Sequence, residues 1–370
     1  PALPAINSIR MLSGDVDFGL GDRAIMNVTG IGEAKRLGRV RVVGTWGIGV
    51  PVTNLKLQIL QGNAEYWSRY FITTRSWHIS KGVFDLNAVL TQPHKEGVAG
   101  EGNARLRHVG IVSRHLTVPI ERVTANVNFV GTESISIDAE GYLTNSPIQL
   151  QGKISRIDPG QLDLMISSER MDMNTLVAAI KPLPRLDGVR WGSLARIESR
   201  ITGTFIRPIV HCVVSVAHVT VYGTPLTALK AQGVYQEGTI TVTRASAILA
   251  QGSVSASGVI SVAPLRIFAK GTGKEIRLAL LPTPATLRAD GTADTSFSVE
   301  YFGGVLSASL HANVLRGRIS ELSFTDANID VSVSGSQPSQ ARVSLRQGTY
   351  AGTAIRVATA DLSFHMGAVT

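Results

Sequence analysis

The chain has little material for disulfide or metal chemistry. It contains one cysteine, Cys212, so no intramolecular disulfide can form. Its eight histidines are scattered, and the pairs His108/His115 and His211/His218 are each seven residues apart in strand-like sequence. An odd offset places two side chains on opposite faces of a strand, which is poor geometry for sharing a metal ion. The sequence therefore predicts no metal site and no cofactor.

Aromatic and charged residues are also scarce. The chain of 370 residues has only 10 Phe, 7 Tyr and 4 Trp, and 17% of its residues are charged. Hydrophobic residues still make up 44%, which excludes an intrinsically disordered chain. Many Gly, Val, Ile, Ser and Thr with few bulky side chains favour a repetitive β structure with a thin core rather than a round one.

Long runs of one kind are missing as well. The net charge is +9, yet Lys and Arg are spread singly, so a nucleic-acid partner is not expected. No stretch of 18 apolar residues occurs that could span a bilayer as a helix. The chain begins Pro-Ala-Leu-Pro and reads as sequence from within a protein, so we expect an internal fragment of a longer chain.

Catalytic motifs are absent from the sequence. There is no GxSxG elbow, HExxH, Walker A or paired-cysteine motif. A β-helix polysaccharide lyase would need clustered carboxylates and basic residues on neighbouring rungs, and no spacing singles out such a cluster. The sequence therefore predicts no catalytic residues and a protein that is not an enzyme.

What the sequence does have is period-two alternation, clearest between Gly223 and Val262. Ile240 and Val242 alternate with threonines, and Val254 and Ala256 alternate with serines, before Gly258 interrupts the phase. Alternation bounded by glycines is typical of half-buried antiparallel strands joined by tight turns. We therefore expect a sheet with one aliphatic face and one Thr/Ser/Gln face.

The same pattern predicts the fold class of the whole chain. We expect an all-β protein, an elongated and curled antiparallel or mixed β-sheet, with one short helix within residues 171–187 that Asp172 or Asn174 caps. Residues 64–77 hold an aromatic cluster, interpreted either as a packed end cap or as a stacking platform for sugars or lipid headgroups. Residues 1–370 are predicted to form one continuous segment, with quasi-repeats at about 70–155 and 160–262 and further strands at 264–370.

A sheet of roughly 20–25 twisted strands has to curl. If its apolar faces turn inward, the result is a hydrophobic groove. The predicted groove residues are the inward-facing aliphatic ones: Leu55, Leu57, Ile59, Ile135, Ile137, Ile148, Leu150, Ile240, Val242, Val254, Ile329, Val331 and Val333. These side chains either contact an apolar ligand or simply pack against each other, and the sequence leaves both open.

Three stretches carry a resemblance to a known family. They are GSLARIESRITGTFIRP at 192–208, AQGVYQEGTITV at 231–242 and AQGSVSASGVI at 250–260. Their marks are Ile201, Gly203 and Pro208, the Tyr235/Gly238 turn and the Gly252/Gly258 pair. The pattern resembles the repeat of the TamB family, the inner-membrane component of the translocation and assembly module, and of its AsmA-like relatives.

The resemblance implies a bridge-like lipid-transfer protein. Such a protein crosses the periplasm of a diderm bacterium as a β-taco, which is a curled sheet with a hydrophobic groove. It is anchored in the inner membrane by a segment not present here. It moves phospholipid between the inner and outer membranes and meets an Omp85-type outer-membrane barrel, here through regions outside this chain. The expected partners are thus phospholipid acyl chains and that barrel.

Two other functions remain open at this stage. The same fold would serve as a scaffold for outer-membrane protein assembly by strand addition. A structural or adhesive β-solenoid would instead have a dry core filled by its own side chains. A filled core would therefore distinguish the solenoid from the other two functions, whereas the scaffold shares its fold with a lipid-transfer protein and the sequence does not separate these two.

Overall fold

The computed structural model describes thirteen stretches of the chain: residues 10–13, 16–17, 24–34, 38–48, 53–71, 76–91, 99–131, 133–156, 160–180, 188–262, 264–282, 289–335 and 339–364. They divide into two compact units. Unit 1 comprises Pro1–Met171, Thr175–Pro182 and Ser199–Pro208, and unit 2 comprises Asp172–Asn174, Leu183–Glu198 and Ile209–Thr370. The organisation of residues 1–370 as one continuous segment stays a prediction.

The described residues up to Met171 form eleven strands and one helix. Their bounds are β1 Arg10–Ser13, β2 Val16–Asp17, β3 Ala24–Ala34, β4 Gly38–Ile48, β5 Thr53–Asn63, α1 Ala64–Phe71, β6 Trp77–Thr91, β7 Ala99–Ser113, β8 Ile120–Val130, β9 Ser134–Leu143, β10 Ser146–Ser155 and β11 Gln161–Met171.

The second half continues in the same manner after a short helix. Its bounds are α2 Met173–Ala179, β12 Val189–Trp191, β13 Ala195–Thr204, β14 Pro208–Val221, β15 Thr224–Gln236, β16 Thr239–Leu249, β17 Gly252–Val262, β18 Leu265–Arg277, a 3-10 turn Leu278–Leu280, β19 Ala289–Phe302, β20 Val305–Ile319, β21 Leu322–Ser334, β22 Ser339–Tyr350 and β23 Thr353–Phe364.

The predicted all-β class is confirmed, since 82% of the structure is strand and 5% is helix. Each strand from β3 to β11 in unit 1 pairs antiparallel with the next one along the chain. The strands β14 to β23 of unit 2 do the same. Each unit is therefore an open sheet built from successive hairpins.

The prediction of a single helix was wrong in number, because α1 is a second one. Its start is capped by Asn63, whose Oδ1 accepts a hydrogen bond from the Tyr66 N–H at 2.8 Å. Glu65 and Arg69 form an (i, i+4) ion pair at 2.9 Å on its exposed side. The aromatic residues of this stretch obscured these local helix signals.

The second helix agrees with the prediction at its start. Asp172 accepts a hydrogen bond from the Asn174 N–H at 2.9 Å, as an N-cap does. The helix ends at Ala179, and residues 181–187 of the predicted range lie outside the described residues.

In each unit, β-bulges recur near one end of the strands. In unit 1, Gln61, His108 and Arg122 have positive φ at register shifts of β5, β7 and β8. The N–H of Gln61 donates to Asp85 at 2.8 Å, and in unit 2 the N–H of Glu275 donates to Asp294 at the same distance. Aspartates on neighbouring strands thus satisfy donors that the bulge removes from the ladder.

Buried clusters of side chains lie next to these bulges. Helix α1 closes the cluster of unit 1, which contains Ile59, Ala64, Phe84, Val109, Val123 and Ala125. The corresponding cluster of unit 2 packs against Leu278 and Leu281 around the 3-10 turn and contains Ile276, Ala293, Val314, Phe324, Ala327 and Leu345. The core of each unit is therefore concentrated where a short covering element sits on the sheet.

The predicted interruption at Gly258 was wrong. Strand β17 keeps an unshifted register with β18 from Ser253 to Val262, so Gly258 stays in phase with Val254 and Ile260. The phase change lies instead in the neighbouring β16, between Val242 and Ala245. A bulge there adds one residue and leaves both of these side chains on the same face.

Candidate functional site

Unit 1 presents one continuous aliphatic face. Cross-strand partners share a face, and Leu57 is partnered by Val42 on one side and by Ala88 on the other. Following such pairs from β4 to β11 defines the aliphatic face of unit 1: Val40, Val42, Leu55, Leu57, Ile59, Leu86, Ala88, Leu90, Ala104, Leu106, Ala125, Val127, Phe129, Ile135, Ile137, Ala139, Ile148, Leu150, Ile154, Leu162, Leu164 and Ile166.

Unit 2 repeats this arrangement. Val242 is partnered by Gly233 and Gly258, and Val331 by Leu310 and Ala341. Its aliphatic face, from β16 to β23, consists of Ile240, Val242, Ala245, Ala247, Val254, Ala256, Ile260, Ile267, Ala269, Phe297, Val299, Leu306, Ala308, Leu310, Ala312, Ile329, Val331, Val333, Ala341, Val343, Ala360 and Leu362.

All thirteen predicted groove residues lie on these two faces. Unit 1 brings together Leu55, Leu57, Ile59, Ile135, Ile137, Ile148 and Leu150, and unit 2 brings together Ile240, Val242, Val254, Ile329, Val331 and Val333. Along the described strands just traced, no Asp, Glu, Lys or Arg occupies either face. The sequence pattern therefore located a face of uniform chemistry in each unit, and a role of these residues in lipid binding stays a prediction.

The exposed fraction of the side chains differs between the open middle of each aliphatic face and the part beneath a covering element. Eleven of the thirteen residues are half-buried, whereas Leu55 and Ile59 are buried, at 7% and 0% exposure. On the face of unit 2, Leu310 is 38% and Leu362 is 55% exposed. Neighbouring side chains on one sheet cover each other laterally, and residues beneath a second layer fall below a few per cent, as Ile59 and Val314 do. Most of the predicted residues thus lack the burial of a two-layer core.

The polar faces contain concave sites that the sequence did not reveal. In unit 2 a pocket of about 820 Å³ crosses β19 to β23. Each strand contributes three consecutive residues to the lining: the outer two have side chains on the polar face, and the middle one, Val331 in β21 for example, belongs to the aliphatic face. Within it, His311 Nδ1 lies 2.7 Å from Asp330 Oδ1, and Arg342 Nε donates to Asp361 Oδ1 at 2.7 Å.

A comparable pocket of about 770 Å³ lies over the polar face of unit 1 and crosses β4 to β8. Side-chain amides run across it, since Gln58 Nε2 donates to Asn87 at 3.1 Å and Asn87 Nδ2 donates to Asn103 at 3.4 Å. These partners are 16 to 29 residues apart in sequence. Only strand register brings them together, which is why alternation alone did not identify them.

Two surface ion pairs shift the pKa of their arginines. A hydrogen bond and charge attraction from Asp163 raise the pKa of Arg200, whose Nε lies 2.9 Å from the carboxylate. The same interactions with Asp361 raise the pKa of Arg342 in the polar pocket of unit 2. Both guanidinium groups therefore remain charged throughout the physiological pH range.

The aromatic stretch at 64–77 contributes to packing in the described residues. Trp67 meets Phe84 edge to face at a centroid distance of 6.0 Å and lies against the buried cluster of unit 1. This contact supports the end-cap interpretation. Elsewhere in the described ranges, no group of three His, Cys, Asp or Glu side chains is placed to hold a metal ion. None of the helices described is long and apolar enough to cross a membrane.

Comparison of the chain with protein-family models, with curated proteins and with solved structures gave no match.

Proposed function

We propose that this chain conducts phospholipid, with acyl chains moving along the aliphatic faces of its units. The observation that carries the proposal is a face of aliphatic and small side chains that spans at least eight strands in each unit without a charged residue in the described strands. Soluble proteins seldom leave apolar patches of more than a few hundred Å² unoccupied. An acyl chain is an occupant that matches this surface.

The energetics favour binding combined with movement. Removing an acyl CH₂ from water contributes about 0.8 kcal/mol. Strands recur at about 4.8 Å, so a chain that shifts by one strand meets nearly the same surface. Because one position resembles the next, the barrier between them stays low. The charged headgroup stays in water at the margin of the face, where it needs no specific pocket.

The cellular setting of the proposal rests on the resemblance to the TamB and AsmA-like family. In that setting the chain is a periplasm-spanning bridge segment between the inner and outer membranes of a diderm bacterium. An Omp85-type partner would meet regions outside this chain. A β-solenoid with a dry core fits less well, because eleven of the thirteen predicted residues are only half-buried.

The test is native mass spectrometry of the purified protein combined with lipid extraction. Val242→Asp places a carboxylate on the aliphatic face of unit 2, and Thr241→Asp places it on the exposed polar face of the same strand. We expect phospholipid to co-purify with the wild type and with Thr241→Asp, and to be depleted in a folded Val242→Asp variant. A folded wild-type protein without bound lipid, which also takes up none from phospholipid vesicles, would refute the proposal. Equal lipid in both variants would do the same.

A further inference from the structure

We propose that the polar face of unit 2 carries a binding site for a neutral oligosaccharide. The site is the concave pocket of about 820 Å³ across β19 to β23. The sugar would contact the polar-face side chains of this lining, opposite to the face proposed for acyl chains, so the proposal does not rest on lipid conduction. Five strands at about 4.8 Å spacing give the pocket a length of roughly 19 Å, which suits a short chain of sugar rings.

Two rows of hydrogen-bonding side chains line the pocket. Within each row, residues are cross-strand partners, so their side chains project to the same side at regular intervals. The first row is Ser296, His311, Asp330, Arg342 and Asp361, and the second is Ser298, Ser309, Ser332, Gln340 and Ser363. Hydroxyls, carboxylates, an amide and a guanidinium offer both donors and acceptors, as the hydroxyl groups of a sugar require.

Several of these groups are held in place before any ligand arrives. His311 Nδ1 lies 2.7 Å from Asp330 Oδ1, and Arg342 donates to Asp361 at 2.7 Å. The hydroxyls of Ser298 and Ser309 are hydrogen-bonded to each other at 2.8 Å. Each of these groups keeps further lone pairs or N–H groups for a ligand. Groups fixed in advance lose less conformational entropy on binding.

Charge excludes a polyanionic ligand and favours a neutral one. The lining contains two carboxylates, Asp330 and Asp361, and one guanidinium, Arg342. The carboxylates of the lining outnumber its guanidinium group by one, although the whole chain carries a net charge of +9. Single-stranded nucleic acid and phosphorylated ligands require a positive groove. The local charge therefore points away from phosphate and towards uncharged hydroxyl groups.

An exposed aromatic residue on the same face, Phe268, would provide the apolar component, and Phe302 lies further along β19. Phe268 and Phe302 are 41% and 53% exposed. Phe268 is the cross-strand partner of Glu300, which places it diagonally across from Ser298 on the same face. Arg266 binds Glu300 at 2.8 Å and lies 5.7 Å from the centroid of Phe302. The C–H faces of pyranose rings are apolar, so a flat exposed ring next to a hydrogen-bonding cleft is suited to them.

The experiment is saturation-transfer NMR followed by calorimetric titration with three soluble tetrasaccharides: cellotetraose, maltotetraose and chitotetraose. Asp361→Ala removes a pocket carboxylate that is paired with Arg342. Its matched control is Asp163→Ala in unit 1, which removes a carboxylate of similar exposure, 61% against 66%, from its pair with Arg200. Phe268→Ala removes the neighbouring aromatic ring.

We expect at least one tetrasaccharide to bind. Asp361→Ala and Phe268→Ala should each weaken its Kd about tenfold, and Asp163→Ala should leave it unchanged. The absence of saturation transfer to all three sugars at 10 mM would overturn the proposal. Equal weakening by Asp361→Ala and Asp163→Ala would place the sugar elsewhere. Salt-sensitive binding of an oligothymidylate without sugar binding would assign the pocket to nucleic acid instead.

Discussion

Replacing Ile137 by Asp distinguishes an open aliphatic face from a packed core. Ile137 lies on β9 between Val127 and Gly152, and it is half-buried. Full burial of an isoleucine side chain contributes about 1.5–3 kcal/mol. Because Ile137 is only partly covered and its replacement can reach water, we expect the variant to lose about 2 kcal/mol of the free energy of unfolding of unit 1. The variant should therefore remain folded.

The same change at Ile59 should have a different outcome. Ile59 is 0% exposed and belongs to the cluster that α1 covers. A carboxylate there would lose the isoleucine contacts, leave a cavity and lack a partner, at a cost of about 4 kcal/mol or more. Ser136→Asp is the third variant, because it adds the same charge on the exposed polar side of β9. It should change stability by less than about 0.5 kcal/mol.

Urea unfolding monitored by tryptophan fluorescence measures all three variants, since Trp67 packs against Phe84 in unit 1. Lipid extraction from the folded variants gives the second readout. We expect phospholipid to be retained by Ser136→Asp and lost from Ile137→Asp, because a carboxylate in contact with an acyl chain costs several kcal/mol of desolvation. If Ile137→Asp destabilises unit 1 as much as Ile59→Asp does, the face is a core and the reasoning fails.

Three further predictions concern the sheet itself. Asp85→Ala should lower the stability of unit 1 by about 1–3 kcal/mol, because the carboxylate accepts hydrogen bonds from the Gln61 N–H at the bulge and from Arg107. The readout is faster hydrogen exchange of the Gln61 amide. An unchanged exchange rate would contradict the prediction. Gly258→Ala should cost about 1–3 kcal/mol in urea unfolding, because the added methyl would collide with the Phe268 carbonyl oxygen; Ser257→Ala on the opposite face is the control and should be nearly neutral. Hydrogen bonding to Asp361 raises the pKa of Arg342, so the stability that this pair contributes is present below the pKa of the unfolded arginine and is lost only as pH rises through the higher folded pKa. The Arg342 Nε–H signal in NMR should therefore keep its chemical shift from pH 7 to pH 9 at low temperature. A titration of this signal within that range would contradict the assignment.

The sequence was sufficient for the fold class and for the composition of one face. Alternation within each strand, as in Ile135, Ile137 and Ala139, assigns side chains to faces because the strand period is two. The sequence also predicted the N-cap of α2, since Asp172 precedes an apolar run at helical spacing. Helix α1 was missed although Asn63 and the Glu65–Arg69 pair are local signals, because five aromatic residues within 64–77 suggested packing without indicating its geometry.

Register and bulges were decided only by the tertiary structure. Alternation places His311 and Asp330 on the polar face, but it does not show that they are cross-strand partners. A register slip of two residues would keep every side chain on its face and would separate His311 from Asp330. The bulge in β16 likewise corrects a phase change that the sequence placed at Gly258. The aliphatic faces were therefore encoded locally, by the period of each strand. The polar pockets depend on pairing between strands, whose free energy comes from backbone hydrogen bonds and from packing of the whole sheet.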